Sequence, residues 1–202
     1  MIPNALDTGT YKPCDRQTAR NILNLLQDRQ LILFGILSST SNKRKGFSLL
    51  LQALKQLSNY ENSQNLELIV FGASQPKEKP GIDLKTRYLG TLSDDISLAL
   101  LYAAADVFVA PSVQDNLPNA VMEALACGTP CVAFQIGGMP DLIEHKQNGY
   151  FAHPFATEDL AQGIAWVLES RQRWQVLSSR VREKVEHEFT FKKQASRYLS
   201  VF

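Results

Sequence analysis

The strongest constraint on this chain is an alternation. Short continuous apolar runs stop at a glycine or proline, and stretches with helical spacing separate them. Leu31 to Phe34 (LILF) stops at Gly35, Leu66 to Phe71 (LELIVF) at Gly72, and Asp106 to Ala110 (DVFVA) at Pro111, while the more polar Thr86 to Leu89 (TRYL) reads as a short strand ending at Gly90. Thr129 to Phe134 runs toward Gly137-Gly138, and Tyr150-Phe151 follows the turn signal Asn148-Gly149. A continuous apolar run suits a strand buried on both faces. Helices are predicted over 47–57, from Ser93-Asp94-Asp95 to about Ala104, and from near Pro118 to Gly128. Others run from Thr157 through Leu168 and over about 171–187 and 191–200. Asp94 and Asp95 supply cap and first-turn acids. Pro118 loses nothing at a helix start, and Gly128 suits a helix end. Strand and helix in alternation predict a doubly wound α/β domain, a parallel sheet of about six strands with helices on both faces. The C-terminal helices would pack alongside. Segment 73–85, rich in Pro, Lys and Glu, reads as a solvated loop. Residues 1–15, punctuated by Pro and Gly, read as a linker, leaving 16–202 as the domain proper.

Composition narrows the partners. Among the 202 residues, 21 Lys plus Arg against 20 Asp plus Glu leave a net charge of +1. That balance argues against a chain-wide footprint for nucleic acid or anionic membrane. Cys14, Cys127 and Cys131 are an odd number without a Cys-x-x-Cys pair, which points to a reducing, cytoplasmic setting and away from a disulfide framework. No apolar run approaches the roughly 20 residues that span a bilayer, so no transmembrane segment is expected. The start MIPNALDTGTYKPCDR lacks the pattern of a signal peptide. His145, His153 and His187 show no metal-ligand spacing, so no metal is expected, and they read as surface or loop residues.

In a doubly wound sheet the ligand sits outside the carboxyl ends of the strands, near the point where strand order reverses. The loops to inspect therefore start at Gly35, Gly72, Gly90, Pro111 and Gly137. The loop from Gly35 to Gly46 is neither Gly-x-Gly-x-x-Gly nor a phosphate loop ending in Gly-Lys-Ser/Thr. A dinucleotide-dependent oxidoreductase therefore has little support. There is also no Gly-x-Ser-x-Gly nucleophile turn.

Two constellations remain. Lys43-Arg44-Lys45-Gly46 puts three cations at a helix N-terminus, where the helix dipole favours anions. Either an anion such as phosphate completes the arrangement, or it is a solvated basic loop. The second constellation runs from Pro111 to Ala124. Asp115 lies in the turn before a helix, Glu123 lies inside it, and first-turn N–H groups lie between them. That set suits a ligand with hydroxyls at both ends and phosphate between them. An N-terminal cap Asp with an ordinary helical Glu fits the same spacing.

The chain resembles the carboxy-terminal domain of family 4 retaining glycosyltransferases, also called group 1. Tyr88-Leu89-Gly90-Thr91-Leu92-Ser93 is similar to their strand before a helix. The segment Leu101-Tyr102-Ala103-Ala104-Ala105-Asp106-Val107-Phe108-Val109-Ala110-Pro111-Ser112 resembles their Tyr-x-x-Ala-Asp-x-x-x-x-Pro-Ser. Glu123-Ala124-Leu125-Ala126-Cys127-Gly128-Thr129-Pro130 resembles their Glu-Ala-x-Ala-x-Gly-x-Pro. Gly137-Gly138, Asn148-Gly149 and Lys45-Gly46 fall where the family has the same pairs. Ile2-Pro3-Asn4-Ala5-Leu6-Asp7 is similar to the element after its interdomain hinge. The resemblance covers nearly all of the chain.

The resemblance implies a Rossmann-like nucleotide-sugar domain of the GT-B architecture, with residues 1–15 a hinge from an N-terminal domain not in this chain. It implies a UDP- or GDP-sugar donor, retaining transfer of a hexose without a metal, and an acceptor bound through the other domain. The full enzyme could contact a membrane peripherally. The family's Glu-x7-Glu element maps onto Asp115, toward the donor sugar, and Glu123, toward the ribose. Lys45 would meet the diphosphate with backbone N–H groups around Asn116, Leu117, Pro118 and Asn119, beside Gly35, and the loop from Arg87 to Gly90 would lie against the base. Three positions depart from the family. Asp115 stands for Glu, and Asp141 aligns with the Glu after Gly-Gly. Ile36 stands for an Arg whose phosphate contact Arg44 could replace. A non-catalytic nucleotide-binding or assembly module with a degenerate pocket is the alternative reading.

Overall fold

A computed structural model describes residues 2–36, 43–57, 63–76 and 80–201. The six expected strands form: β1 Gln30–Gly35, β2 Leu66–Phe71, β3 Lys85–Tyr88, β4 Val107–Ala110, β5 Cys131–Phe134 and β6 Gly149–Ala152. All pair in parallel, in the order β3-β2-β1-β4-β5-β6. The chain builds outward from β1 through β2 to β3. It then crosses back to lay β4 on the other side of β1. Strand order therefore reverses between β1 and β4.

Strand alternation divides the core into two layers. Leu31, Leu33, Ile69, Phe71 and Phe108 face one side. Ile32, Phe34, Leu68, Val70, Val107 and Val109 face the other. The first layer is covered by α1 Arg16–Ile22, α3 Asp95–Ala104, α4 Asn119–Ala126 and part of α7 Arg171–Glu188. The second is covered by α2 Phe47–Leu57 and α6 Thr157–Leu168. The short α5 Met139–Leu142 follows β5, and α8 Phe191–Leu199 follows α7.

The expected strands and the expected helices after residue 47 all form, with ends moved by a residue or two. Two shifts have clear causes. Strand β5 starts at Cys131, because Thr129 Oγ1 donates to the Tyr102 carbonyl and Pro130 has no N–H for the ladder. Helix α1 was not foreseen, since it buries only Ala19 and Arg20 and so carries no apolar stripe. Asp15 caps it by accepting from the Thr18 N–H at 2.8 Å.

Arg20 is buried at the amino-terminal edge of the sheet. It donates to the Ala104 carbonyl at 2.9 Å and to Asp106 Oδ2 at 2.7 Å. Asp106 also accepts from Arg16 and from the Leu31 N–H. One carboxylate thus ties α1 to β1 just before β4. The described part of segment 1–15, which omits Met1, packs along the last helices. The Leu6 N–H donates to the Phe189 carbonyl, and Gln194 donates to the Pro3 carbonyl. Arg182 donates to the carbonyls of Thr8, Tyr11 and Ala126.

Candidate functional site

The loops leaving β1 and β4 meet at the carboxyl-terminal edge of the sheet, at the reversal point where such folds bind ligands. Lys43–Lys45 form a 3-10 turn ahead of α2, and the Val113 N–H donates to the Arg44 carbonyl at 2.9 Å. This close approach requires Gly46. Its φ is +69°, and a Cβ there would sit 1.8 Å from the Pro111 carbonyl oxygen. The result is an ion pair across the reversal point, with Lys45 Nζ 2.8 Å from Asp115 Oδ2. Ser112 Oγ donates to the same oxygen at 3.4 Å. Gly137 and Gly138 brace the loop from behind. A Cβ on either would meet the carbonyl oxygen of Asp115 or Asn116 at 1.8 Å.

Past Asp115, the exposed Asn116 and half-buried Leu117 lead to the buried Pro118, which is extended at the N-cap of α4. No side chain caps this helix; the Val121 N–H donates to the Pro118 carbonyl at 3.1 Å, which leaves the Asn119 and Ala120 N–H groups as the ones suited to an anion. Asn4 reaches Asn119 Oδ1 at 3.4 Å, which puts the N-terminal segment at the same edge. Glu123 lies about one turn into α4, where its Oε2 accepts from the Tyr102 hydroxyl at 2.9 Å. Burial pushes the Glu123 carboxyl above its ordinary value. The Tyr102 hydrogen bond opposes that shift, and nearby Asp95 adds to it.

The structure therefore gathers Lys45, Asp115, Asn116, Leu117, Pro118 and Asn119 at one edge, with Gly35 at the end of β1 and Glu123 behind. Arg44 contributes its carbonyl to the joint between the loops. Arg87 is turned elsewhere: its Nη1 donates to the Asn24 carbonyl at 2.6 Å, and its Nε is 3.4 Å from the buried Glu67. Ile36 is buried in the second layer. Asp141 is exposed in the first turn of α5. Residues 37–42, the middle of the long loop between Gly35 and Gly46, lie outside the described residues. Among the described residues, no cluster of three or more His, Cys, Asp or Glu could hold a metal ion. Sequence reasoning assigned no role to Tyr102, Ser112 or Asn4. Tyr102 stands inside a quoted motif, but its partner is 21 residues away, a contact that no local pattern announces.

The structure is thus a doubly wound α/β domain with a cation, a carboxylate and a helix start without a side-chain cap gathered at its reversal point, the place where such sheets bind ligands. The family described as "Glycosyl transferases group 1" matches residues 29–170, and the chain belongs to that family. D-inositol 3-phosphate glycosyltransferase of Saccharomonospora viridis is 28% identical over 215 residues, covering 100% of this chain and 49% of its own. The sucrose-phosphate synthase structure from Thermosynechococcus elongatus matches with a TM-score of 0.83 at 25% identity, covering 99% of this chain and 51% of that one. The Anabaena protein Alr3699/HepE, in complex with UDP-glucose, shares the fold with a TM-score of 0.80 at 23% identity, covering 100% of this chain and 57% of that one. This chain spans about half the length of the curated relatives it matches.

Proposed function

We propose that this chain is the donor-binding half of a retaining glycosyltransferase that uses a UDP- or GDP-sugar. One observation carries the reading. Lys45 and Asp115, from loops after different strands, meet at 2.8 Å beside the uncapped start of α4. Lysine has three donors, so Lys45 keeps Asp115 while offering another N–H to a diphosphate oxygen. Asp115 then lies where the sugar hydroxyls would follow the phosphates, and Glu123 takes the ribose hydroxyls at the other end. Membership of the family and the UDP-glucose held by the Anabaena protein support the same ligand class.

In transfer, the bond from the sugar's anomeric carbon to the diphosphate oxygen breaks, a bond from that carbon to the acceptor hydroxyl oxygen forms, and the hydroxyl proton passes to the departing phosphate oxygen. The diphosphate leaves as an oxyanion. Lys45 and the first N–H groups of α4 would meet that charge, the kind of preorganised stabilisation that lowers such barriers. This reading needs no metal ion. A hexose is the proposed cargo. The acceptor, lipid or soluble, would be held by the remaining half of a two-domain enzyme, of which residues 1–15 are the hinge side. A cytoplasmic setting belongs to the same proposal, and no helix among the described residues is long and apolar enough to cross a membrane.

The test is a titration of this chain with UDP, GDP and their glucose and mannose conjugates, followed by amide shifts. We expect perturbations around Lys45 and Glu123, with Lys45→Ala weakening binding at least about tenfold while melting within about 1 kcal/mol of wild type. The alternative of a non-catalytic module gains if no nucleotide perturbs those regions, or if the substitution changes stability and leaves affinity alone.

A further inference from the structure

Glu123 is half-buried on α4, and the group that holds it comes from a different helix. Tyr102, on α3, is 1% exposed. Its ring stands edge-on to Phe71 (centroids 5.7 Å apart, 89° between planes) and to Phe108 (5.6 Å, 82°). Its own carbonyl accepts from Thr129 Oγ1 at 2.6 Å. The ring, and with it the hydroxyl, is therefore fixed by contacts to β2 and β4 as well as by the core layer that α3 and α4 share. A hydroxyl in such surroundings costs free energy unless it is bonded, and a phenylalanine would fill the same space. What the oxygen adds is the 2.9 Å bond to Glu123 Oε2.

We propose that Tyr102 is a positioning residue for Glu123: its hydroxyl holds Oε2, so that the other carboxylate oxygen is presented to the ribose hydroxyls of a bound nucleotide in a single side-chain conformation. The proposal rests on the reading that Glu123 meets the ribose. A glutamate has three side-chain torsions, and leaving them free in the empty site would tax every binding event. Tyr102 removes that freedom before the ligand arrives, which is how preorganisation raises affinity. Tyr11 closes the far side. Its ring lies 6.5 Å from that of Tyr102, and its hydroxyl donates to Asp95 at 3.0 Å and so does not compete for Glu123.

The experiment compares Tyr102→Phe with wild type by calorimetric titration. The probes are whichever of UDP and GDP binds wild type more tightly, and its 2′,3′-dideoxy counterpart. The variant keeps the ring and loses one oxygen. We expect about fivefold weaker binding of the ribonucleotide, with the dideoxy nucleotide unaffected. In a Glu123→Ala background the same substitution should add nothing. If Tyr102→Phe does not fold, Tyr102→Met replaces it, because it also fills the apolar space between Phe71 and Phe108 without a hydroxyl. It should show the same selective loss. A purely structural role for Tyr102 weakens both nucleotides equally, and that result, or no loss for either, overturns the proposal. If neither nucleotide binds wild type, or Glu123→Ala spares the ribonucleotide, the ribose reading itself falls and takes the proposal with it.

Discussion

Replacing Gly46 by alanine tests the idea that the site exists because two loops touch through a missing side chain. Two costs are readable from the structure. The backbone at φ +69° penalises any side chain by about 1 kcal/mol. The new Cβ would also stand 1.8 Å from the Pro111 carbonyl oxygen, so the loops must part by about 1.5 Å to reach ordinary contact. That breaks the 2.9 Å bond from the Val113 N–H to the Arg44 carbonyl, worth about 1 kcal/mol, and disturbs packing for about another 1–2 kcal/mol. The sum is about 3–4 kcal/mol, or a fall in Tm of roughly 10 °C for a chain of this size. Because Lys45 rides on the displaced turn, nucleotide affinity should fall with it. Two other glycines separate the terms. Gly90 has φ +68° but no neighbour within 4 Å of an added Cβ among the described residues, so Gly90→Ala should cost about 1 kcal/mol from the backbone alone. Gly81 has neither constraint, and Gly81→Ala should be neutral or slightly stabilising. Urea and thermal melts of the three variants give the order. If Gly46→Ala melts no lower than Gly90→Ala, the loops do not depend on that contact and the reasoning is wrong.

Three further expectations follow from other parts of the molecule. Asp106→Ala leaves the buried Arg20 guanidinium without its carboxylate, and should cost about 3–5 kcal/mol in a urea melt. Glu123 has a carboxyl raised by burial, so the native state binds protons more tightly than the unfolded chain. Its contribution to stability therefore declines as pH rises above the ordinary value of 4.5. Glu123→Gln should accordingly melt at or above wild type at neutral pH, with the advantage shrinking near pH 4.5, while weakening nucleotide binding. A variant less stable than wild type at neutral pH would contradict this. Arg182→Ala removes the guanidinium that donates to the carbonyls of Thr8, Tyr11 and Ala126. Hydrogen exchange at the Leu6 and Tyr11 amides should then accelerate by more than it does in the core strands.

Most strands were legible because they are buried on both faces and bounded by residues that end a ladder; the half-exposed edge strand β3 was marked only by its closing Gly90. Leu66 to Phe71 and Gly72 are the clearest case. The helices 47–57 and 157–168 carried an apolar stripe and were legible for the same reason. Helix α1 was not, since its one deeply buried long side chain is Arg20, whose place depends on Asp106 from another part of the chain. The short α5 offered too few residues for any period. Within the site, Lys45, Asp115 and Glu123 could be singled out by residue type and loop position.

What the sequence alone determined is therefore the class of fold, the loops that would carry the site and the residue types in them. Those depend on periodicity, on chain-breaking residues and on motifs that are contiguous or nearly so. The tertiary structure decided which of these groups meet. It pairs Lys45 with Asp115, lays Gly137-Gly138 against the Asp115–Asn116 backbone, turns Arg87 toward Glu67 and sets Tyr102 under Glu123. The physical reason is the crossover from β3 to β4, which lays β4 beside β1. Residues 70 apart in sequence become neighbours only when the sheet reverses its order there, and no local pattern along the chain encodes that distance.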